Sequence, residues 1–230
     1  FRSFLSMLGI VLGVSSLIAT MALTAGIETG TRKFMEQIGG LELVTVGNKE
    51  ISNAMFEFWN LSPGRTIMDA RAIRDSVPNV SHASPEMSQG ALVASPFYSD
   101  RKGVRGVWPD HFVVARHELA AGRFLTPLDE DLVTKATVLG HEMATRLFPG
   151  RSPEEIVGRT ITINQSPFQV VGVLKRYERE QDRRAREILA AQHRKSGTTP
   201  PQSTRRSMGR WDPFRQKNES VLIPLSTLFH

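Results

Sequence analysis

The stretch "SMLGIVLGVSSLIATMALTAGIETG", residues 6–30, decides how this chain is organised. The 25 residues Ser3–Ile27 carry no charged side chain, and they are bracketed by Arg2 and Glu28. A helix rises about 1.5 Å per residue, so these residues span roughly 37 Å and cross a hydrocarbon layer of about 30 Å with some tilt. The stretch has no polar stripe of the kind that a surface helix shows. The sequence therefore predicts a transmembrane helix over residues 1–28.

A cleaved export signal is the main alternative for this stretch. Such a signal has an apolar region of about 7–15 residues and a small-x-small cleavage site. The apolar region here is longer, and "ALTAG" at residues 22–26 is a poor cleavage site. Basic residues leave the orientation of the span open, because Arg2 at one end is matched by Arg32 and Lys33 at the other.

The residues after the span predict a helical stalk and then a β-α-β arrangement. The stalk covers residues 29–40, where charges lie between apolar residues on one side of a helix until Gly39-Gly40 ends it. Residues 41–95 then combine a strand over 41–46, "LELVTV", with a helix over 66–77 and later extended segments.

The rest of the chain predicts mainly short strands. "GVRGVWP" (103–109) and "ATVLG" (136–140) are typical of strands, and the second leads directly into a short helix. The clearest hairpin is "GRTITINQSPFQVVGVL" (158–174), and "SVLIPLSTLFH" (220–230) predicts a buried strand that ends at Pro224. Together these segments predict an α+β fold, with a mixed α/β domain after one N-terminal transmembrane helix and its stalk.

The positive charge of the chain is concentrated in one segment. The formal net charge is +6, and residues 175–217 hold 13 Lys or Arg and 5 Asp or Glu, a net of +8. Their aromatic residues are few and widely spaced, which argues against a nucleic-acid platform. A solvated charged helix and a surface for anionic lipid headgroups both fit this composition. We expect a charged helix over 175–192 and poor order over 193–215.

The sequence contains no complete motif for catalysis or metal binding. It has no P-loop, no H-E-x-x-H helix and no G-x-S-x-G turn, and it has no cysteine to form disulfides or thiolate metal sites. "SDRK", residues 99–102, matches the S-x-x-K pattern of penicillin-recognising enzymes, but the companion S-D-N and K-T-G motifs are missing. The sequence therefore predicts no catalytic, cofactor-binding or metal-binding residue.

Gly9 and Gly13 form a G-x-x-x-G pattern inside the predicted span. Two glycines one turn apart remove side-chain bulk and allow another helix to come close. The ordinary glycine content of membrane helices explains the pattern equally well. We retain Gly9 and Gly13 as candidate helix-packing residues, because other small residues repeat the same spacing on neighbouring faces and favour a helix bundle.

The order of these segments resembles one protein family. "RSFLSMLGIVLGVSSLIATMAL", residues 2–23, followed by a stalk, is similar to the first membrane helix of ABC-transporter permeases of the MacB/FtsX type. Their extracytoplasmic core domain resembles, in this order, "GVRGVWPDHF", "ELAAGRFLTPLDED", "ATVLGHEMATRLFPG", "IVGRTITINQSPFQVVGVL" and "VLIPLSTL". The resemblance covers nearly the whole chain and is weakest at 47–65 and 175–217.

The resemblance implies that residues 41–230 form a MacB-like periplasmic core domain with several parts. Residues 41–99 would be a porter-like β-α-β part, and residues 100–174 a β-rich, sabre-like part. Residues 175–217 would be a basic, partly disordered insertion, and residues 218–230 a return strand after which the domain is cut short.

The resemblance also implies a function and a set of partners. Such a permease subunit couples cytoplasmic ATP hydrolysis to movement of an extracytoplasmic domain that acts on a substrate or partner. ATP and Mg would bind a partner ATPase, and this chain itself would not be an enzyme. The other expected partners are a second permease subunit in a dimer, a periplasmic adaptor protein and membrane lipid, but not nucleic acid. The N-terminus would be cytoplasmic, with residues 41–230 outside the inner membrane.

Two other classes of function stay open at this point. A membrane-anchored extracytoplasmic sensor or ligand-binding domain would share the anchor but would carry a signalling domain in place of three further spans. A membrane-tethered hydrolase would need one of the motifs that the sequence lacks. Three more apolar stretches of about 20 residues after His230 would distinguish the permease from the sensor.

Overall fold

The computed structural model describes residues 2–38, 40, 42–47, 64–178, 183–184, 187–188 and 213–229. They belong to two compact units, Phe1–Leu43 and Val44–His230. The first unit consists mainly of one apolar helix, and the second contains the strands. The predicted fold class, one N-terminal apolar helix followed by a mixed α/β domain, is confirmed.

Helix α1 runs without interruption over the 37 residues Arg2–Ile38. At about 1.5 Å per residue it is roughly 56 Å long, which is more than a hydrocarbon layer of about 30 Å requires. Its segment Ser6–Arg32 is long and apolar enough to cross a membrane, and its side chains are exposed. The hydroxyls of Thr20, Thr24 and Thr29 donate to carbonyl oxygens four residues earlier, so the helix itself satisfies them. Residues 2–28 of the predicted span and residues 29–38 of the predicted stalk therefore lie in one continuous helix.

Helix α1 ends just before the predicted stop at Gly39-Gly40, but the strand predicted after it differs from the structure. Gly40, with a φ of 83°, donates its N–H to the carbonyl oxygen of Met35 at 2.8 Å, beyond the end of the helix at Ile38. The strand predicted over 41–46 is wrong for its described residues, because residues 42–47 lie in no strand. An alternating sequence forms a strand only where another strand pairs with it.

The helices and strands of the second unit are short. The helices are α2 (Ile67–Ser76), α3 (His111–Val114), α4 (Pro127–Asp131), α5 (His141–Leu147), α6 (Pro153–Ile156), α7 (Pro213–Asn218) and α8 (Leu225–Leu228). The strands are β1 (Glu86–Ala94), β2 (Ser99–Val107), β3 (Leu119–Gly122), β4 (Ala136–Leu139), β5 (Thr160–Ile163), β6 (Ser166–Leu174) and β7 (Val221–Pro224). The helix predicted over 66–77, the strand predicted over 136–140 and the strand predicted to end at Pro224 are thus confirmed.

Six of these strands form a closed ring. Their hydrogen-bonded order is β6-β4-β7-β2-β1-β5, and β5 pairs again with β6 to close the circle. The pairs β2–β7 and β4–β6 are parallel, and the other pairs in the ring are antiparallel. Strand β3 pairs with the last residues of β6, beside β5 along the same strand.

The ring encloses the larger of two hydrophobic clusters. Every ring strand contributes to it, and α5 and α6 add side chains to the same cluster. Its fully buried members include Val93, Val104, Leu139, Met143, Val170 and Val221. Side chains alternate along a strand, so the other face of β4, β7 and β6 carries a second cluster. That outer cluster contains Phe112, Leu125, Val138, Leu174 and Leu222.

The predicted hairpin over 158–174 is confirmed as β5 and β6. Its ladder ends with Ile163 opposite Ser166, so Asn164 and Gln165 form a two-residue turn. Both have positive φ, 46° and 70°, as the common tight hairpin turn requires. Asn164 also bonds Leu92 of β1 in both directions, through its own N–H and through its side-chain oxygen. The turn therefore helps to close the ring.

The β1–β2 hairpin joins segments that were predicted to belong to different parts of the domain. Strand β1 pairs with β2 over nine residues, across the predicted boundary between residues 99 and 100. The division into parts 41–99 and 100–174 stays a prediction. The charged helix predicted over 175–192 is wrong for residues 175–178, which lie in no helix, whereas residues 183–184 and 187–188 are helical. Arg183 and Glu187 form an i, i+4 ion pair at 3.8 Å. The predicted disorder of 193–215 lies outside the described residues up to 212, and residues 213–215 are in α7.

Helix α4 is held by a buried carboxylate. Thr126 and Asp129 form a capping box, and the Asp129 carboxylate also accepts two bonds from the Arg123 guanidinium, at 2.5 and 3.0 Å. These bonds from Arg123 hold the pKa of Asp129 well below its usual range. The next residue, Glu130, accepts bonds from the N–H and hydroxyl of Ser226, which connect α4 to α8.

Replacing Asp129 by asparagine tests this link. Asp129→Asn keeps an oxygen for the cap but removes the charge, so we expect the free energy of unfolding to fall by roughly 1–3 kcal/mol at pH 7. The charged form contributes stability above about pH 4, and this is lost as the pH falls through the lower folded-state pKa. Thermal melts of variant and wild type should therefore converge in acid.

The second capping box in the chain supplies a matched control. Thr66 and Asp69 at α2 have the same cap geometry, but their bonds are on the surface. Asp69→Asn should lower the melting temperature by less than Asp129→Asn does. Equal losses for the two variants would show that the bonds from Arg123 add nothing.

Candidate functional site

The two ends of the basic segment 175–217 meet at one reciprocal contact. The backbone N–H of Tyr177 donates to Asn218 Oδ1 at 2.8 Å, and Asn218 Nδ2 donates to the Tyr177 carbonyl oxygen at 2.6 Å. Asn218 is 4% exposed, so little water competes for these bonds. We call this contact the Tyr177–Asn218 clamp. It holds the two ends of the segment together, although 41 positions separate them.

The Tyr177 side of the clamp is tied to the loop before β3. The hydroxyl oxygen of Tyr177 accepts the backbone N–H of Glu118 at 2.6 Å. Lys175 adds a backbone bond to the Glu118 carbonyl oxygen at 2.9 Å and an ion pair with its carboxylate at 2.8 Å. The ring of Tyr177 packs against the outer hydrophobic cluster. The outgoing end of the basic segment is therefore fixed by three bonds to one residue.

The Asn218 side of the clamp contains a buried lysine. Lys217 Nζ donates to the Ala115 carbonyl oxygen at 2.6 Å and lies 4.9 Å from the centre of the Tyr177 ring. Burial lowers the pKa of Lys217 to about 8. A cation over an aromatic face gains electrostatic energy, most of all where water is excluded. Lys217 thus connects the incoming end of the segment with α3 and with Tyr177.

Two histidines lie beneath the clamp. The rings of His111 and His117 are 5.5 Å apart, and His117 also contacts the ring of Tyr177 at 5.9 Å. Burial lowers the pKa of His111 to about 4 and that of His117 to about 2. His111 Nε2 and His117 Nδ1 are buried without a hydrogen-bond partner among the described residues. Both imidazoles are therefore neutral near pH 7 and act as packing groups.

The S-x-x-K match at residues 99–102 does not form a reactive site in the structure. Ser99 and Lys102 are three positions apart in β2, so they lie on opposite faces of the strand. The Lys102 amine pairs with Asp100 at 3.0 Å. Across the part of the chain that the structure describes, no three His, Asp or Glu side chains are grouped so that they could hold a metal.

Gly9 and Gly13 lie in the membrane-length part of α1. A Cβ added to either glycine would have no neighbour within 4 Å, so both positions are open to an approaching helix. Their role in helix packing stays a prediction.

The clamp was not foreseen from the sequence. Tyr177 is one of the few, widely spaced aromatic residues of the basic segment, and Asn218 directly follows that segment. Its one sequence signal is positional: Tyr177 follows the strand that ends at Leu174, and Asn218 precedes the strand that begins at Val221. Ends of neighbouring elements are natural places for such bonds, but the sequence does not reveal which elements are neighbours.

Comparisons with known proteins agree with the family resemblance. The profile of the family described as "MacB-like periplasmic core domain" matches residues 3–227. The macrolide export ATP-binding/permease protein MacB of Azoarcus sp. (strain BH72) is 33% identical over 176 residues, which cover 76% of this chain and 25% of that protein. MacB of Campylobacter jejuni subsp. jejuni serotype O:23/36 (strain 81-176) is 29% identical over 187 residues, 76% of this chain and 26% of that protein.

Two solved structures are also similar to the chain. The periplasmic region of MacB from Actinobacillus actinomycetemcomitans has 20% identity and a TM-score of 0.47, covering 70% of this chain and 56% of that one. The extracellular domain of the noncanonic ABC-type transporter YknZ from Gram-positive bacteria has 16% identity and a TM-score of 0.49, covering 74% and 67%. This chain spans about a quarter of the length of the curated relatives it matches. Because the family profile covers nearly all of it, the chain belongs to the MacB-like periplasmic core domain family, among the ABC-transporter permeases of the MacB/FtsX type.

Proposed function

We propose that this chain couples ATP hydrolysis in the cytoplasm to movement of an extracytoplasmic domain. In this proposal α1 is the first membrane helix of a permease subunit, its N-terminus is cytoplasmic, and residues 41–230 lie outside the inner membrane. The ATPase, with its ATP and Mg, is a separate domain or subunit, and a second permease subunit completes a dimer. The moving domain acts on a substrate or on a partner such as a periplasmic adaptor protein.

The uninterrupted length of α1 is the observation that carries this proposal. Its 37 residues exceed the roughly 20 that a membrane span needs, and the surplus continues in the same helix. No glycine or proline pair interrupts α1 before its end at Ile38. A continuous helix resists bending, whereas a flexible linker would absorb the motion of the membrane segment. The helix is thus suited to carry rotation or tilt out of the bilayer.

Inserting flexible residues into this helix tests the proposal. Seven glycines between Arg32 and Lys33 should break the helix, because each costs about 1 kcal/mol relative to alanine. We expect the complex to retain ATPase activity and to lose the nucleotide-dependent movement of its outer domains. The chain has no cysteine, so Arg151→Cys introduces a single thiol into it. With a spin label on this cysteine in each subunit, in a complex whose remaining parts carry no reactive cysteine, the label–label distance reports the movement.

An insertion of seven alanines at the same place is the matched control. It adds the same length but continues the helix for about two turns, so the movement should persist. A movement that survives seven glycines would rule out force transmission through α1. A complex that shows no nucleotide-dependent movement at all, but a ligand-dependent one, would favour the sensor alternative.

A further inference from the structure

The outer face of the β1–β2 hairpin has two glycines, without side chains, at its centre. We call Gly90 and Gly103 the bare strip. Gly90 lies directly opposite Gly103 in the nine-residue ladder. Their neighbours Ala91 and Val104 point into the ring and are buried there, so the two glycines lie on the outer face. Backbone is therefore exposed at the middle of both strands.

The described part of the domain does not require glycine at these positions. A Cβ on Gly90 would lie 3.5 Å from Nε of Arg101, and a Cβ on Gly103 would lie 3.4 Å from Oγ of Ser88. Both are ordinary contacts, whereas a Cβ on Gly172 would lie 2.2 Å from a backbone oxygen. Glycine within a strand weakens it by roughly 0.5–1 kcal/mol, and it often marks a place where another backbone comes close.

A groove of about 370 Å³ lies beside this bare strip. It extends from the hairpin to α7 and the residues that follow α7. Its lining combines the small residues Ser88, Gly103 and Ser220 with the cationic residues Lys102, Arg105 and Arg215. The groove therefore combines access to backbone with positive side chains.

Positive charges outnumber negative charges on this surface. Two cations of this face have carboxylate partners, Arg105 with Glu86 at 3.2 Å and Arg215 with Glu219 at 3.1 Å. Lys102 also lines the groove, but its side chain leaves the strand on the opposite face from Gly103 and pairs there with Asp100 at 3.0 Å. The third cation of this face, Arg101, extends over Gly90 and has no carboxylate partner in the described part of the chain. Helix α7 also ends the basic segment 175–217, whose net charge is +8.

We propose that this surface, the Gly90–Gly103 face, binds an extended acidic segment of a partner protein. An extended chain without bulky side chains toward the glycines can lie against the exposed strands. Its alternate residues are about 6.8 Å apart, so carboxylates on one side can reach Arg101 and the cations of the groove. Leu92, opposite Arg101 and 48% exposed, offers an apolar contact at one end. The surface belongs to the domain alone, and the proposal stands whether or not α1 transmits force.

Peptide binding to the full chain in neutral phosphatidylcholine nanodiscs tests this proposal. The probe is a fluorescein-labelled peptide of about twelve residues that alternates Glu and Thr, and its anisotropy measures binding. We expect saturable binding that weakens with salt. Gly103→Thr should weaken peptide binding roughly tenfold, because its side chain fills the space over the glycines. Arg101→Gln should weaken peptide binding roughly threefold, because it removes a cation that pairs with a carboxylate of the peptide.

Two control variants separate binding from folding. Gln89→Thr alters the other face of β1, and Arg151→Gln removes an exposed arginine from a loop, so both should bind the peptide like the wild type. Gly103→Thr should melt at the same or a higher temperature, because threonine is favoured in strands. The binding loss is then not the result of unfolding.

Three outcomes would overturn the proposal. One is unchanged binding of the acidic peptide to Gly103→Thr, and another is equal binding of a peptide that alternates Lys and Thr. The third is binding to phosphatidylglycerol vesicles that Gly103→Thr abolishes, with no binding of the acidic peptide, because the face would then contact membrane.

Discussion

Gly140→Ala is expected to destabilise the domain severely. A Cβ at this position would lie 2.4 Å from the Asn218 carbonyl oxygen and 2.5 Å from that of Lys217. Both are backbone atoms, so no side-chain rotation can relieve the overlap. We expect a loss of roughly 3 kcal/mol or more, against a total stability of about 5–15 kcal/mol for a typical domain.

The backbone around Gly140 cannot easily move away. The Gly140 N–H donates to the Ser220 carbonyl oxygen at 2.8 Å, and the Ser220 hydroxyl donates back to the Lys217 carbonyl oxygen at 2.8 Å. Asn218 is held by its two bonds to Tyr177. Displacing this turn would therefore also break the Tyr177–Asn218 clamp, and the two ends of the basic segment would separate.

Thermal unfolding of the full chain in detergent, followed by tryptophan fluorescence, measures this effect. Gly90→Ala is the matched control, because its new Cβ meets only the flexible end of the Arg101 side chain, at 3.5 Å. The control should melt near the wild type, while Gly140→Ala should melt many degrees lower. Equal melting temperatures for the two variants would mean that the C-terminal end of α7, at Lys217 and Asn218, is not packed against Gly140.

Mild acid is expected to destabilise the domain through His111 and His117. The unfolded histidines have a pKa near 6.5, and burial lowers the folded values to about 4 and about 2. The unfolded chain therefore binds more protons below pH 6.5, and stability falls as the pH decreases. Each buried histidine contributes at most about 1.4 kcal/mol per pH unit, so from pH 6.5 to 5 the two together remove roughly 3 kcal/mol.

Neighbouring charges also shift the pKa values of His111 and His117. Glu86 Oε2 is 3.8 Å from His111 Nδ1 and favours its protonation, whereas Arg105 and Lys217 oppose it. For His117, the neighbouring His111 and Lys217 add to the effect of burial. The destabilisation begins near pH 6.5 and extends to about pH 4 for His111 and to about pH 2 for His117, so the part between pH 6.5 and 4 precedes the more acidic window of Asp129.

Variants of single histidines identify the source of the pH dependence. His117→Phe keeps an aromatic ring against Phe112 and Tyr177 but cannot take up a proton, so the fall in melting temperature between pH 6.5 and 5 should be about halved. His82→Phe changes an exposed histidine and should leave the fall as in the wild type. A full pH dependence in the His117→Phe variant would assign it to other groups.

Local patterns predicted those elements whose partners are close in sequence. The hairpin Thr160–Leu174 has a turn at Asn164-Gln165 and alternating residues on both sides, so its own neighbours determine it. The same holds for β4 followed by α5. The strand expected over 41–46 failed because an alternating run can be a strand or a loop until another strand pairs with it.

Long-range contacts account for what the sequence did not reveal. Ring closure depends on β5 pairing with β1, about 70 positions earlier, and the parallel pair β2–β7 joins residues more than 110 positions apart. The clamp likewise depends on contact between Tyr177 and Asn218, which are 41 positions apart in the sequence. Residue types such as Asn and Tyr are common at loop ends, so nothing marks these two before the fold brings them together.

The closed ring of strands affects how the domain resists a mechanical load. Each ring strand is bonded to a neighbour on both of its sides, so tensile load applied to one strand is shared with two others. Removing any one strand from the ring requires breaking two ladders, whereas a strand at an open edge is held by one. Strand β3 is bonded to β6 alone among the described strands, so we expect it to detach first.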